Sequence, residues 1–188
     1  MADFFTSVEP KLQAFIERQH VFFTATAAEG SRINLSPKGL EAFRIVDPKT
    51  VCYMDWTGSG NETAAHIRAD GRLTIMFCAL EGPPNILRLY GHGRVLLRGT
   101  SDYEAMLENV FDGQEPVSAR QIIVLDVDSA QTSCGYGVPI HTYARERPSL
   151  ENWARGGVDL PGYRREHNTT TIDGQPTGHV EHEKVPGE

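Results

Sequence analysis

The chain has 188 residues, 39% hydrophobic and 23% charged, which suits one soluble domain with a sizeable core. Eighteen basic against 25 acidic residues leave a net charge of −7, which argues against general nucleic-acid binding, where excess cations must neutralise phosphates. No apolar run reaches the roughly 18 residues of a membrane-spanning helix, and residues 1–9 lack the basic start of a secretory signal.

Residues 10–19 come first. Leu12, Phe15 and Ile16 recur at helical spacing and Pro10 suits a first turn, so a short amphipathic helix is predicted. Residues 21–27 are β-branched and aromatic, and residues 33–35 can pair back on them as a hairpin. Residues 40–46 and 51–56 are the next strand candidates. A glycine-rich turn then leads into a helix over residues 61–69. Residues 73–80 are continuously apolar and predict a buried central strand. Residues 86–97 form a long strand broken by Gly91 and Gly93, a pattern of bulges and barrel corners. Tyr103, Met106, Leu107 and Val110 mark a helix capped by Ser101 or Asp102, and residues 121–127 a last strand. Residues 149–154 predict a short helix with Leu150 and Trp153 on one side. Beyond Tyr163 the chain reads as polar loop, with residues 179–188 a disordered tail and 1–178 the single domain. The sum is a small β-barrel with peripheral helices.

Three segments could carry chemistry. In Asp55-Trp56-Thr57-Gly58-Ser59-Gly60-Asn61-Glu62-Thr63 a strand passes through a Gly/Ser turn into a helix. Exposed amides at a helix start attract anions, and glycines let a phosphate approach the backbone. The same residues also read as an ordinary capped turn, with Ser59 or Asn61 as N-cap. Neither a Gly-Lys-Ser/Thr phosphate loop nor a third glycine of a dinucleotide fingerprint is present. In Asn34-Leu35-Ser36-Pro37-Lys38-Gly39, proline interrupts strand pairing and Lys38 offers a cation to an anionic ligand, or is simply solvated beside a bend. In Ser133-Cys134-Gly135-Tyr136-Gly137-Val138-Pro139, the glycines imply unusual backbone angles, and Cys134 reads as a half-buried packing residue.

The other chemistry-bearing residues are scattered. Seven histidines show no metal-ligand spacing, and His179 and His182 read as solvated. Three cysteines, Cys52, Cys78 and Cys134, form no CxxC pair, so neither a disulfide scaffold nor a zinc ribbon is expected, and a reducing cytoplasm fits. No catalytic triad, and no acid or base, stands out.

Taken together, the helix, hairpin, Ser36-Pro37-Lys38-Gly39, the turn from Trp56 to Thr63 with its helix, and the apolar 73–80 strand resemble the pyridoxamine 5′-phosphate oxidase-like, FMN-binding split-barrel family. Residues 133–139 and 172–178 resemble an uncharacterised subgroup of it. The resemblance implies a mainly β fold, a six-stranded antiparallel split barrel with peripheral helices. It implies a homodimer with FMN in grooves at the subunit interface. Carried over by position, Asn34, Leu35, Ser36, Pro37 and Lys38 line the flavin ring edge. Trp56, Thr57, Gly58, Ser59, Gly60, Asn61 and Thr63 cradle the phosphate, with Cys134 and Tyr136 closing the site.

One departure stands out: many members carry Ser-Arg-Lys where this chain has Asn61-Glu62-Thr63. An acid there repels a phosphate dianion, so Lys38 or Arg88 is expected to supply the charge, and Arg164 and Arg165 are candidates by charge alone. The resulting expectation is an FMN-dependent oxidoreductase of unknown substrate. The alternatives are a non-enzymatic flavin- or haem-binding protein of the same fold, and a deazaflavin in place of FMN.

Overall fold

The computed structural model of the protein describes residues 2–39 and 41–180. In chain order the elements are β1 (Asp3–Phe5), α1 (Pro10–Ile16), β2 (Phe22–Thr26), β3 (Asn34–Lys38), β4 (Phe43–Asp47), β5 (Thr50–Trp56) and α2 (Glu62–Ala69). Next come β6 (Arg72–Cys78), β7 (Ile86–Leu97), α3 (Ser101–Val110), β8 (Ala119–Ser133), α4 (Ser149–Arg155) and α5 (Leu160–His167). The strands pair antiparallel in the order β3-β2-β6-β7-β8-β5-β4, with β1 added to the end of β8.

The sheet rolls up because its ends share one core. Phe43 on terminal strand β4 packs 5.2 Å from Phe22 of β2 and 5.0 Å from Phe77 of β6, ring centre to ring centre. Tyr53 of β5 reaches the same Phe22 at 5.5 Å. Such edge-to-face aromatic contacts are worth about 0.5–1.5 kcal/mol each beyond the area they bury. Leu12, Phe15 and Ile16 of α1 join this core, as their helical spacing predicts. The barrel remains split between β3 and β4, as the resemblance implies, with eight strands among the described residues instead of six.

The bend that permits rolling lies in β7. Its register against β8 shifts between Tyr90 and Gly91. A Cβ on Gly91 would overlap the Asp126 carbonyl oxygen and lie 2.9 Å from the carbonyl carbon. Only glycine allows the strands this close, so the sequence reading of a glycine-marked corner holds.

Several expectations need correction. β3 continues through Pro37 to Lys38, where the 33–35 reading stopped short; as an edge strand it tolerates the missing N–H. β4 starts at Phe43; Leu40 lies outside the described residues. β6 buries one face, Leu73, Ile75 and Phe77, while Thr74, Met76 and Cys78 are half-buried. β8 is far longer than residues 121–127 and runs on to Ser133. The cap of α3 is Thr100, whose hydroxyl accepts from Tyr103 N. β1 and α5 were not foreseen. His179 is buried, not solvated. His182 and residues 181–188 of the expected tail lie outside the described residues.

Gly91→Ala tests the corner. It is expected to lower stability by about 1–3 kcal/mol through overpacking against the β8 backbone, read as a lower urea midpoint. An unchanged midpoint contradicts the close approach.

Candidate functional site

Asp55 lies at the end of β5, in a strand otherwise apolar and buried on both faces. Its Oδ1 accepts from Lys38 Nζ at 2.8 Å, and its Oδ2 from Arg120 Nη2 at 2.6 Å and Gln121 Nε2 at 2.9 Å. Burial alone would raise this carboxyl. The adjacent Arg120, and then Lys38, outweigh it and hold the group well below its ordinary value of 3.8. Lys38, expected to serve an anionic ligand, is therefore committed to an internal carboxylate.

The 57–63 turn follows directly, and protein groups bond its two glycine carbonyls and its Thr57 and Asn61 side chains. Thr57 donates to Ser118 O through both its amide (2.8 Å) and its hydroxyl (3.0 Å). The same hydroxyl accepts from Arg164 Nη1 at 3.1 Å. Asn168 Nδ2 donates to Gly58 O at 2.8 Å, and Arg120 Nη1 to Gly60 O at 2.9 Å. Asn61 donates to Asn168 O at 3.1 Å and accepts from Gln121 Nε2 at 2.8 Å. Asn61 does stand at the N-cap position of α2, but its side chain makes no capping bond. Glu62 folds back instead, so that a Cβ on Gly60 would lie 3.1 Å from its Cδ. Its Oε1 accepts from Ile172 N at 3.4 Å.

The head of α2 thus already faces its own carboxylate, and the region around it is occupied by residues 164–177. A phosphate dianion does not fit there. It would meet the Glu62 carboxylate folded over Gly60, whose charge repels it.

Below the turn a second polar cluster joins the two stretches singled out in the sequence. Asn34 Nδ2 donates to Thr63 Oγ1 at 3.0 Å, Ser36 Oγ donates to Asn34 Oδ1 at 3.3 Å, and Thr26 Oγ1 lies 3.0 Å from His66 Nδ1. His66 and Tyr53 are buried beside them, and burial pushes the Tyr53 hydroxyl well above its ordinary value. Leu35, by strand alternation, points away and is 63% exposed.

Pro37 and Lys38 instead border a cavity of about 580 Å³. Val21, Cys78 and Leu80 make its wall, and residues 141–147 cross it as a strap. The strap is fastened at three points: His141 N to Leu80 O (2.9 Å), Tyr143 N to Glu81 Oε1 (2.7 Å), and the Tyr143 ring stacked on His20 with centres 3.6 Å apart. Arg88 sits on β7 with Nη1 donating to Ser133 Oγ at 3.1 Å. It also lies near Cys78, whose thiol burial raises and Arg88 partly lowers. Cys134 and Tyr136 neither border this cavity nor bond to the turn. Cys134 is exposed, not half-buried, because the chain has left the sheet at Ser133, and Tyr136 is 83% exposed.

Sequence reasoning included Asp55 in the 55–63 segment without giving it a role, and did not find Arg120, Gln121 or Asn168. A signal existed for Asp55: a lone acid in an apolar strand needs buried partners. α5, which carries Arg164, had one as well. Asp159 accepts from Gly162 N at 3.0 Å as N-cap, and a proline follows in the first turn.

Comparison with known proteins places these features. A family model described as pyridoxamine 5′-phosphate oxidase matches residues 8–134. The pyridoxamine 5′-phosphate oxidase family protein ustO of Aspergillus flavus is 34% identical over 197 residues, covering 95% of this chain and 79% of that one. A histidine-to-alanine variant of HupZ from Group A Streptococcus superposes with a TM-score of 0.55 at 21% identity, over 67% of this chain and 99% of its own. A pyridoxamine 5′-phosphate oxidase-related, FMN-binding protein of Nostoc punctiforme gives 0.51 at 14%, over 70% and 87%. The two structures share the fold. The strap, α4 and α5 all lie beyond the matched residues 8–134.

Replacing Asp55 leaves two cations facing each other in the barrel. Asp55→Asn is expected to cost about 3–5 kcal/mol at neutral pH, as for one-sided removal of a buried pair. The folded carboxyl is depressed, so its stabilisation is present above about pH 4 and is lost as pH falls through the folded value. The gap between the parent protein and Asp55→Asn in chemical denaturation should therefore close below about pH 4. A gap independent of pH contradicts the ion pairing.

Proposed function

Because this chain belongs to the pyridoxamine 5′-phosphate oxidase family, we propose that it is a flavin-dependent oxidoreductase whose ring site is the cavity at the end of β3. One observation carries this reading. Pro37 and Lys38, the residues that the family resemblance sets at the ring edge, border a cavity of about 580 Å³. Cavities of roughly 300–1,000 Å³ take cofactor-sized ligands. The walls fit a planar, mostly apolar ring. FMN is the proposed flavin, supported by the FMN-binding relative from Nostoc punctiforme.

The bound flavin would supply hydride or electron transfer. The chain's own residues hold and polarise. The Lys38 side chain keeps 23% exposure, so it meets both the cavity and Asp55. Asp55, Lys38 and Arg120 together carry one net positive charge, a field that favours a reduced, anionic ring. Asp55 itself is held ionised with both oxygens bonded, so it is no proton donor.

The closed 57–63 turn favours a second reading, a non-catalytic binding protein of the same fold. Turnover of NAD(P)H with any acceptor would exclude it.

We propose a homodimer as well. Half-buried Met76 on β6 and the exposed Phe4 and Leu35 are apolar surface that a partner would cover. Among the described residues no helix is long and apolar enough to cross a membrane. Cys52, Cys78 and Cys134 are free thiols, which supports the proposed reducing cytoplasm.

Titration with FMN is expected to give one flavin per chain and a shifted flavin absorption band, with a dimeric mass by light scattering. Lys38→Ala should weaken flavin binding by about 1.5–3 kcal/mol, with folding checked separately because Asp55 loses a partner. Protein that stays colourless with added FMN contradicts the flavin reading, and a deazaflavin titration then tests the nearest substitute.

A further inference from the structure

We propose that the cavity beneath residues 141–147 is the site for a planar aromatic anion, and that Arg145 and Arg147 of the strap bind its anionic group. Where that anion is a flavin phosphate, the inference rests on the proposed flavin reading. The cavity's charge and shape stand without it.

The lining has four permanent cations, Arg18, Lys38, Arg145 and Arg147, against two carboxylates, Glu81 and Glu146. Both carboxylates are engaged by the strap: Glu81 Oε1 accepts from Tyr143 N at 2.7 Å, and Glu146 Oε1 from Tyr143 Oη at 3.2 Å. Lys38 is held by Asp55, and Arg18 donates to the carbonyl of Ala14. Arg145 and Arg147 are exposed and have no carboxylate partner among the described residues. Two guanidinium groups at the rim of an apolar cavity match a phosphate, sulfonate or carboxylate, which arginine grips with paired N–H groups.

The rest of the cavity selects for a flat body. Val21, Pro37, Leu80 and Leu150 are apolar, and His20 and Tyr143, which also line it, stack ring on ring only 9° from parallel, a pair that a further flat ring can extend. Because the 57–63 turn is closed to phosphate, a ligand's anionic end must find its charge elsewhere. These strap arginines are the unengaged cations beside the ring residues.

Equilibrium titrations of the full chain and of an Arg145→Gln/Arg147→Gln variant test this, with FMN, riboflavin and 1-anilinonaphthalene-8-sulfonate as probes. Both arginines are exposed, so the variant should keep the parent's thermal midpoint. The expected result is FMN binding at least about tenfold tighter than riboflavin, with the preference erased in the variant and riboflavin affinity kept, as for loss of charged hydrogen bonds. FMN preference that survives in the variant, or is absent from the parent, overturns the inference and leaves the flavin reading standing. If neither flavin binds but the sulfonate binds one per chain and weakens about tenfold in the variant, the flavin reading falls and the inference stands. If none of the three binds, both fall.

Discussion

Asp55 gathers donors from two strands that no backbone ladder connects to each other. Lys38 comes from β3 at one end of the sheet, and Arg120 and Gln121 come from β8 near the other. The Lys38–Asp55 bridge spans the split of the barrel, where the sheet lacks hydrogen bonds of its own. Burying such charges costs several kcal/mol each, offset only when geometry and extra hydrogen bonds are good. Here every carboxylate oxygen has a donor within 3 Å. The pair's value lies in specifying one arrangement of the seam, since an apolar seam could slide.

From that carboxylate the bonding spreads outward in one connected path. Arg120 reaches Gly60, Gln121 reaches Asn61, and Asn61 reaches Asn168, which also receives the Thr177 hydroxyl at 2.6 Å. The barrel seam, the head of α2 and the segment after α5 are therefore one connected polar unit. In this chain Glu62 and residues 164–177 fill the space around the 57–63 turn. The ligand site proposed for this chain is instead the cavity at the end of β3, under the strap.

The barrel was legible in the sequence because its signals are local. The β-branched and aromatic content of residues 22–26 and the helical stripe of Leu12, Phe15 and Ile16 are read within a few residues, and Gly91 marks its corner by residue type alone, although the backbone it approaches is that of Asp126. The sequence singled out residues 34–38 and 57–63 as separate segments, and the structure brings them together where Asn34 meets Thr63. What was not legible depended on distance along the chain. Asn168 acts on Gly58 and Asn61 from more than a hundred residues away, and no local pattern marks it. α5 is short and strongly polar, and the residues it buries are Leu160 and Arg164, so few apolar residues mark it; its Asp159 cap and proline gave notice. Lys38 was identified as a charge near the site, but nothing local joins it to Asp55, 17 residues on and on another strand.

Amide hydrogen exchange, followed by mass spectrometry with and without FMN, tests the closed turn most directly. Amides in residues 57–63 and 160–177 should exchange slowly and together in the ligand-free protein, because they open only as one unit. Saturating FMN should leave them unchanged while slowing residues 141–147. Rapid exchange at 57–63 that becomes protected when FMN binds would contradict the account, since the turn would then be an open phosphate cradle after all.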